Sequence, residues 1–178
     1  MSRNRYVGDY HLADSLDEKG RIRTEVEYVG SWYSFTGAPE TVARAKKKAL
    51  LLCIGGWIAY AAALIPLSAA SRTLYTALPF ALAAVPLALL TGTVLEILPQ
   101  KGRFQHRIAD RIGNRWPACA AFIVFLSALA LMGEAVNLFR GLELRTGDIA
   151  FTAGAAALLA AGLLAHRTRR ALRCEKQP

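Results

Sequence analysis

Hydrophobic and polar positions in this chain fall into blocks. Segment 1–48 is polar, and long apolar runs begin only at Ala49. Charge-free stretches cover Ala49–Ser71, Thr73–Leu95, Trp116–Gly133 (continuing past Glu134 to Phe139) and Ile149–Ala165. A helix crosses a bilayer core with about 20 apolar residues, roughly 17–25 being usual. The pattern therefore predicts four transmembrane helices, at about 49–71, 73–96, 116–139 and 149–165. Soluble core helices seldom sustain more than about 14 such positions, so four longer runs argue against a soluble all-α protein. The fourth span is the weakest: Ala and Gly fill more than half of it, and it is expected to lean on its neighbours. Pro66 falls late in span one, and Pro79 and Pro86 interrupt span two, predicting kinks. A signal peptide would place its apolar stretch close to the N-terminus; the run starting at Ala49 comes too late, so no cleavable signal peptide is expected.

Charge sets the direction. Of the 22 Lys and Arg residues, nine lie in segment 1–48, five in the connection after span two and five after span four; one follows span one and two follow span three. The positive-inside rule places the three rich segments, and so both termini, in the cytoplasm of a multi-pass inner-membrane protein. The formal net charge of +9 then reads as attraction to anionic lipid on the cytoplasmic leaflet rather than to nucleic acid. Trp116 and Tyr75 are expected as interfacial anchors at opposite sides. Trp57 and Tyr60, deeper in span one, are expected to pack helices.

The segments between the spans carry patterns of their own. Asp17-Glu18-Lys19-Gly20 reads as a turn; Ile22, Thr24, Val26 and Tyr28 alternate after it, and Tyr10, Leu12 and Leu16 share a face before it. This predicts a β-hairpin in the cytoplasmic segment 1–37, one that must dock on something, since an isolated hairpin is marginal in water. The aromatic run Val29–Phe35 is expected to dip into the interface, and Pro39 and Glu40 to open a helix that runs into span one. The connector 101–115 repeats a dyad at every fourth position: Arg103-Phe104, Arg107-Ile108, Arg111-Ile112, Arg115-Trp116. On a helix this makes one apolar stripe and one arginine stripe, the anatomy of an amphipathic helix lying on anionic lipid. The membrane domain is placed at 38–166, and a basic cytoplasmic tail at 167–178.

Chemistry is sparse. Cys53, Cys119 and Cys174 form no ligand or disulfide spacing, and His11, His106 and His166 fall in three separate segments, so no metal or cofactor is expected. No nucleophile elbow, metalloprotease or phosphate-loop motif occurs, and no enzyme is expected. Glu96 reads as an interfacial acid near Lys101 and Arg103, and Asp148 as an acid at the start of the last helix. The one intramembrane polar candidate is Glu134, with Asn137 on nearly the same face. Counted from Trp116 it lies about 27 Å along a helix, near the outer boundary. Its expected role is structural, satisfied beside Arg140 or Arg145. Gly55-Gly56 and the stripe Ala153, Ala157, Ala161, Ala165 read as close-packing devices, toward another span or another copy of the chain. The expected function is a non-catalytic accessory, scaffolding or interaction protein of the inner membrane, in contact with a membrane-protein partner or with itself. The alternative is a small transporter or channel component with Glu134 and Asn137 near its pathway.

Overall fold

A computed structural model describes residues 7–16, 22–65, 73–140 and 146–177. The expected turn at Asp17–Gly20, Pro66, Arg72 and Arg145 lie outside the described residues. Four helices are long and apolar enough to cross a membrane: Pro39–Leu64, Leu74–Ile97, His106–Phe139 and Thr146–Leu172. Small β elements accompany them.

The first span, α1 (Pro39–Leu64), opens with Pro in its first turn, where the missing N–H costs nothing. The second is broken into α2 (Leu74–Leu82) and α3 (Ala84–Ile97), with Ala83 as the joint. Pro86 explains the position: it cannot donate to the Leu82 carbonyl one turn back, and its ring crowds that oxygen. The third is one long rod. It starts as α4 (His106–Asp110), widens into a π-helical turn at Arg111–Arg115, and continues as α5 (Trp116–Phe139). Pro117 again supplies the reason. Its ring would strike the Gly113 carbonyl in a regular α-turn, and the wider turn relieves the clash. The fourth, α6 (Thr146–Thr168), tightens into a 3-10 turn at Arg169–Leu172.

Helix α6 is the hub, packing on α1 and α5. The closest approaches run through its glycines. A Cβ on Gly154 would stand 2.6 Å from Ala63 Cβ and 2.7 Å from the Ala59 carbonyl, and one on Gly162 would stand 2.9 Å from Val124. The packing face is thus Phe151, Gly154, Leu158, Gly162 and Ala165, all buried. Of the expected alanine stripe, Ala165 is buried in this face, while Ala153 and Ala157 face outward. Gly56 packs on Leu87, whereas Gly55 meets nothing. Trp57 donates its indole N–H to Thr91 Oγ1 at 3.1 Å, and Tyr60 stacks on Phe80, so both join α1 to the second span as expected. Large apolar side chains, among them Ile58, Val85, Phe122, Phe125 and Leu163, point outward and form an apolar girdle.

The β-hairpin is present. Strands β1 (Tyr10–Leu16) and β2 (Ile22–Tyr28) pair antiparallel, with Leu12 opposite Val26 and Tyr10 opposite Tyr28. The aromatic run that follows, expected to dip into the interface, is drawn into a sheet. Trp32–Phe35 is a strand, β3, at the centre of a second sheet. On one side it pairs with β4 (Phe104–Gln105) from the connector, on the other with β5 (Cys174–Lys176) from the tail. The tail is therefore built into the fold, and segments from the beginning, middle and end of the chain meet at one end of the bundle.

Candidate functional site: a capped cleft and a buried polar knot

The three-stranded sheet caps the bundle, and the hairpin docks on it. Tyr28 Oη accepts the His106 backbone N–H at 3.0 Å and donates to the Ser31 carbonyl at 2.9 Å. Tyr10 Oη donates to Gln105 Oε1 at 2.9 Å, Asp9 lies 3.6 Å from His106 Nδ1, and Tyr33 stacks on the His106 ring. On the tail side, the Thr36 N–H and hydroxyl both donate to the Arg173 carbonyl at 3.0 Å, and Gln177 N–H donates to the Trp32 carbonyl at 2.9 Å. Beneath the sheet, Phe35 packs on Phe104. Lys46 is buried, donating to the Gln100 carbonyl while its ammonium lies over the Phe35 ring.

This arrangement corrects the expected amphipathic helix on the bilayer. Phe104 belongs to a strand, not to a helix, and Phe104, Ile112 and Trp116 are all buried inside the protein. Ile108 is partly buried against the same core. The stripe periodicity was real, but its partner is the sheet and the neighbouring helices, which give a drier and better-matched surface than a headgroup region. Trp116 is no interfacial anchor: its indole N–H donates to the Ala165 carbonyl at 3.0 Å. The arginine stripe is divided. Arg111 pairs with Glu96, the acid expected beside Lys101 and Arg103. Arg115 is half-buried, and Arg103 and Arg107 stay exposed.

A residue absent from the sequence expectations holds the π-turn. Pro117 has no N–H to offer, so the Ile112 carbonyl (in π geometry) and the Gly113 carbonyl (in α geometry) lose their donor. Arg169 replaces it, with Nε 3.1 Å from the Ile112 oxygen and Nη2 2.8 Å from that of Gly113. The sequence signal was the proline itself, but the distance to Arg169 hid the answer.

Beside this clamp opens a cleft of about 840 Å³, walled by β3, the connector and the end of the fourth span. His106 and His166, which lie far apart in the chain, both line it, with Arg170, Arg173, Asp110 and Glu175. Cys174 lines it too, donating to the Leu172 carbonyl at 3.4 Å. Burial pushes its thiol up to about 11, against a lowering by Arg169. A thiol so raised is neutral at physiological pH and is a poor nucleophile. Among the described residues, no three His, Cys, Asp or Glu side chains come together as a metal site.

The other end of the bundle holds a buried polar knot. Glu134, Asn137, Asp148 and Thr76 are all 3% exposed or less. Asn137 donates to Glu134 Oε2 at 3.2 Å and lies 3.3 Å from Thr73 Oγ1; its carbonyl accepts the Tyr75 hydroxyl. Thr73 and Thr76 hydroxyls are 3.1 Å apart. Gly133 makes this possible, since a Cβ there would stand 2.5 Å from Thr76 Oγ1. Glu134 is thus met by an amide. Arg140, one of the arginines expected beside it, lies over the Tyr75 ring instead. Asp148, expected as a helix-start acid, is buried close enough to Glu134 to be felt electrostatically.

Midway between the ends, a cavity of about 10 Å³ lies among Leu52, Leu87, Leu90, Ile123 and Leu158. No protein-family model, curated protein or solved structure matches this chain, and its geometry is the ground for any functional reading.

Proposed function

We propose that this chain is a non-catalytic accessory or interaction protein of the inner membrane, with its capped end and both termini in the cytoplasm. The observation that carries the reading is an apolar pair left open on the hairpin. Leu12 and Val26, opposite each other across the strands, are 74% and 65% exposed, while the next pair along the same face, Tyr10 and Tyr28, with Asp9, ties the hairpin to the cap. A rigidly mounted apolar pair outside the girdle fits the docking of a protein partner rather than of lipid. The outward apolar girdle supports insertion, and the sharing of one sheet by β3, β4 and β5 agrees with the charge asymmetry that puts those segments on one side.

Two measurements test this. Reporter fusions at Pro178 and in the 66–72 connection should give opposite signals; a periplasmic C-terminus would overturn the topology. Full-length tagged protein in mild detergent should retain a membrane-protein partner that Leu12→Asp with Val26→Asp releases. Retention of the same partner by that double variant would refute the hairpin as the docking face.

A second reading, a small transporter component, is favoured by one observation: two buried carboxylates, Glu134 and Asp148, in one polar knot. The small apolar cavity of about 10 Å³ among Leu52, Leu87, Ile123 and Leu158 speaks against it, because an ion or solute pathway needs polar groups or water at mid-depth.

A further inference from the structure

The cleft under the cap has a size, a charge and a set of walls that the partner-docking reading does not use. Its volume of about 840 Å³ lies in the range of small-ligand sites, about 300–1,000 Å³. The wall contributed by the fourth span presents His166, Arg170 and Arg173. His166 and Arg170 stand one helical turn apart as α6 gives way to the 3-10 turn, and Arg173 follows that turn in extended backbone and lines the same cleft. Among the described residues none of the three has a hydrogen-bond or ion-pair partner for its side chain. Arg169, between them, is already committed to two carbonyls. Unpaired cations in a concavity focus positive potential far more than the same charges on a convex surface.

The opposite wall has different chemistry. It comes from α4 and the π-turn and carries Asp110 and Asn114, with Nδ2 of Asn114 donating to Asp110. Gly113 has nothing within 4 Å of where a Cβ would stand, so the backbone of the π-turn is bare toward open space. Such π-turns recur at functional sites. Glu175 of β5 adds a second acceptor. The first turn of α1 reaches the rim at Thr41, with no side-chain cap on its amides, and contributes a field of the same sign as the arginines.

From cations on one wall and acceptors on the other, we infer that the cleft binds a phosphate ester carrying hydroxyl groups, its phosphate held by Arg170, Arg173 and His166 and its hydroxyls by Asp110 or Glu175. A guanidinium pair suits a phosphate's oxygens, and carboxylates accept from hydroxyls. Glycerol phosphate is the minimal group of this kind. It occurs free or as the headgroup of phosphatidylglycerol at the leaflet beside the cleft.

The test uses full-length protein in a neutral detergent. One arm titrates sn-glycerol 3-phosphate calorimetrically. The other equilibrates the protein with mixed phosphatidylglycerol and phosphatidylcholine, re-purifies it and counts retained lipid by mass spectrometry. Each arm compares the wild type with Arg170→Gln plus Arg173→Gln, and with Arg103→Gln plus Arg107→Gln. The expected result is saturable binding in at least one arm, weakened tenfold or more by the first pair and unchanged by the second. Binding in the first arm alone assigns a soluble ester, and in the second alone a lipid headgroup. Arg170 and Arg173 are exposed, so the pair should leave the circular dichroism and melting of the protein unchanged; were it to unfold, Asp110→Asn with Glu175→Gln must alter the affinity instead. Binding in neither arm, equal loss with both arginine pairs, or binding indifferent to the cleft variants would overturn the assignment.

Discussion

The two ends of this bundle satisfy their polar groups in opposite ways. At the capped end the backbone does most of it: β3, β4 and β5 pair main chain with main chain, and the clamp by Arg169 meets carbonyls. Charged side chains are left over, and they line a cleft. At the far end, among the described residues, no sheet closes the bundle. Glu134, Asn137, Thr73, Thr76 and Tyr75 satisfy one another side chain to side chain, and little polar capacity remains. A backbone-sealed end can offer side chains to a ligand; an end sealed by side chains has used them. From this comparison we propose that the capped end is where binding belongs and that the knot is structural.

The sharpest way to break the far end is steric. Gly133→Val would place a Cβ 2.5 Å from Thr76 Oγ1 and 3.2 Å from its Cα, forcing α2 off α5. Overpacking of this kind costs ~3 kcal/mol or more where backbone must move. Thermal denaturation in detergent should show it, while Gly92→Ala, which meets open space, should change little. A mild effect at Gly133 would mean that the knot is looser than the contacts imply.

At the capped end, Cys174 reports on closure. Its thiol is raised from 9.0 to about 11, so near pH 8 its thiolate fraction should be ~100-fold below that of a free thiol, by ten per pKa unit. Alkylation should be correspondingly slow and rise with a midpoint near 11. The same shift makes the folded cap prefer the neutral thiol. Its contribution to stability is therefore intact below about pH 9 and is lost as pH climbs through about 11. Ordinary thiol reactivity at pH 8 would show that β5 does not stay docked.

Removing the clamp is the next smaller effect. Arg169→Ala strips the donors from the Ile112 and Gly113 carbonyls, and hydrogen bonds to charged groups contribute about 1.5–3 kcal/mol. With water taking up part of the loss, a net destabilisation of ~2 kcal/mol is expected. It should be read as earlier melting and faster proteolysis of the tail, with Arg169→Lys intermediate because an ammonium lacks the planar fork. An unchanged tail would mean that water replaces the guanidinium.

The smallest effect is assigned to Glu134→Gln. Glutamine keeps the carbonyl that accepts from Asn137 and removes only the charge, so a change within about 1 kcal/mol is expected. Insertion and partner retention should persist. If reconstituted vesicles showed a proton-coupled uptake or ion leak that this variant abolished while folded, the knot would be functional and the contrast between the ends would fail.

What the sequence determined by itself were the features set by local composition: four apolar helices, the presence of the hairpin, a kink in span two, and the opening of α1 at Pro39. Each depends on hydrophobic length, strand alternation or a proline's missing N–H, all of which act over a short stretch of chain. The tertiary structure decided what those elements touch. The periodicity of Phe104, Ile108, Ile112 and Trp116 announces a buried face, but a helix face is equally apolar whether it meets lipid or protein. Only the return of β3 and β5 to the connector settled it. Likewise Pro117 announces two orphaned carbonyls, yet the group that satisfies them, Arg169, comes from the far end of the next span. The same holds for Asp148: its place at a helix start is local, and its burial beside Glu134 depends on how α5 and α6 pack.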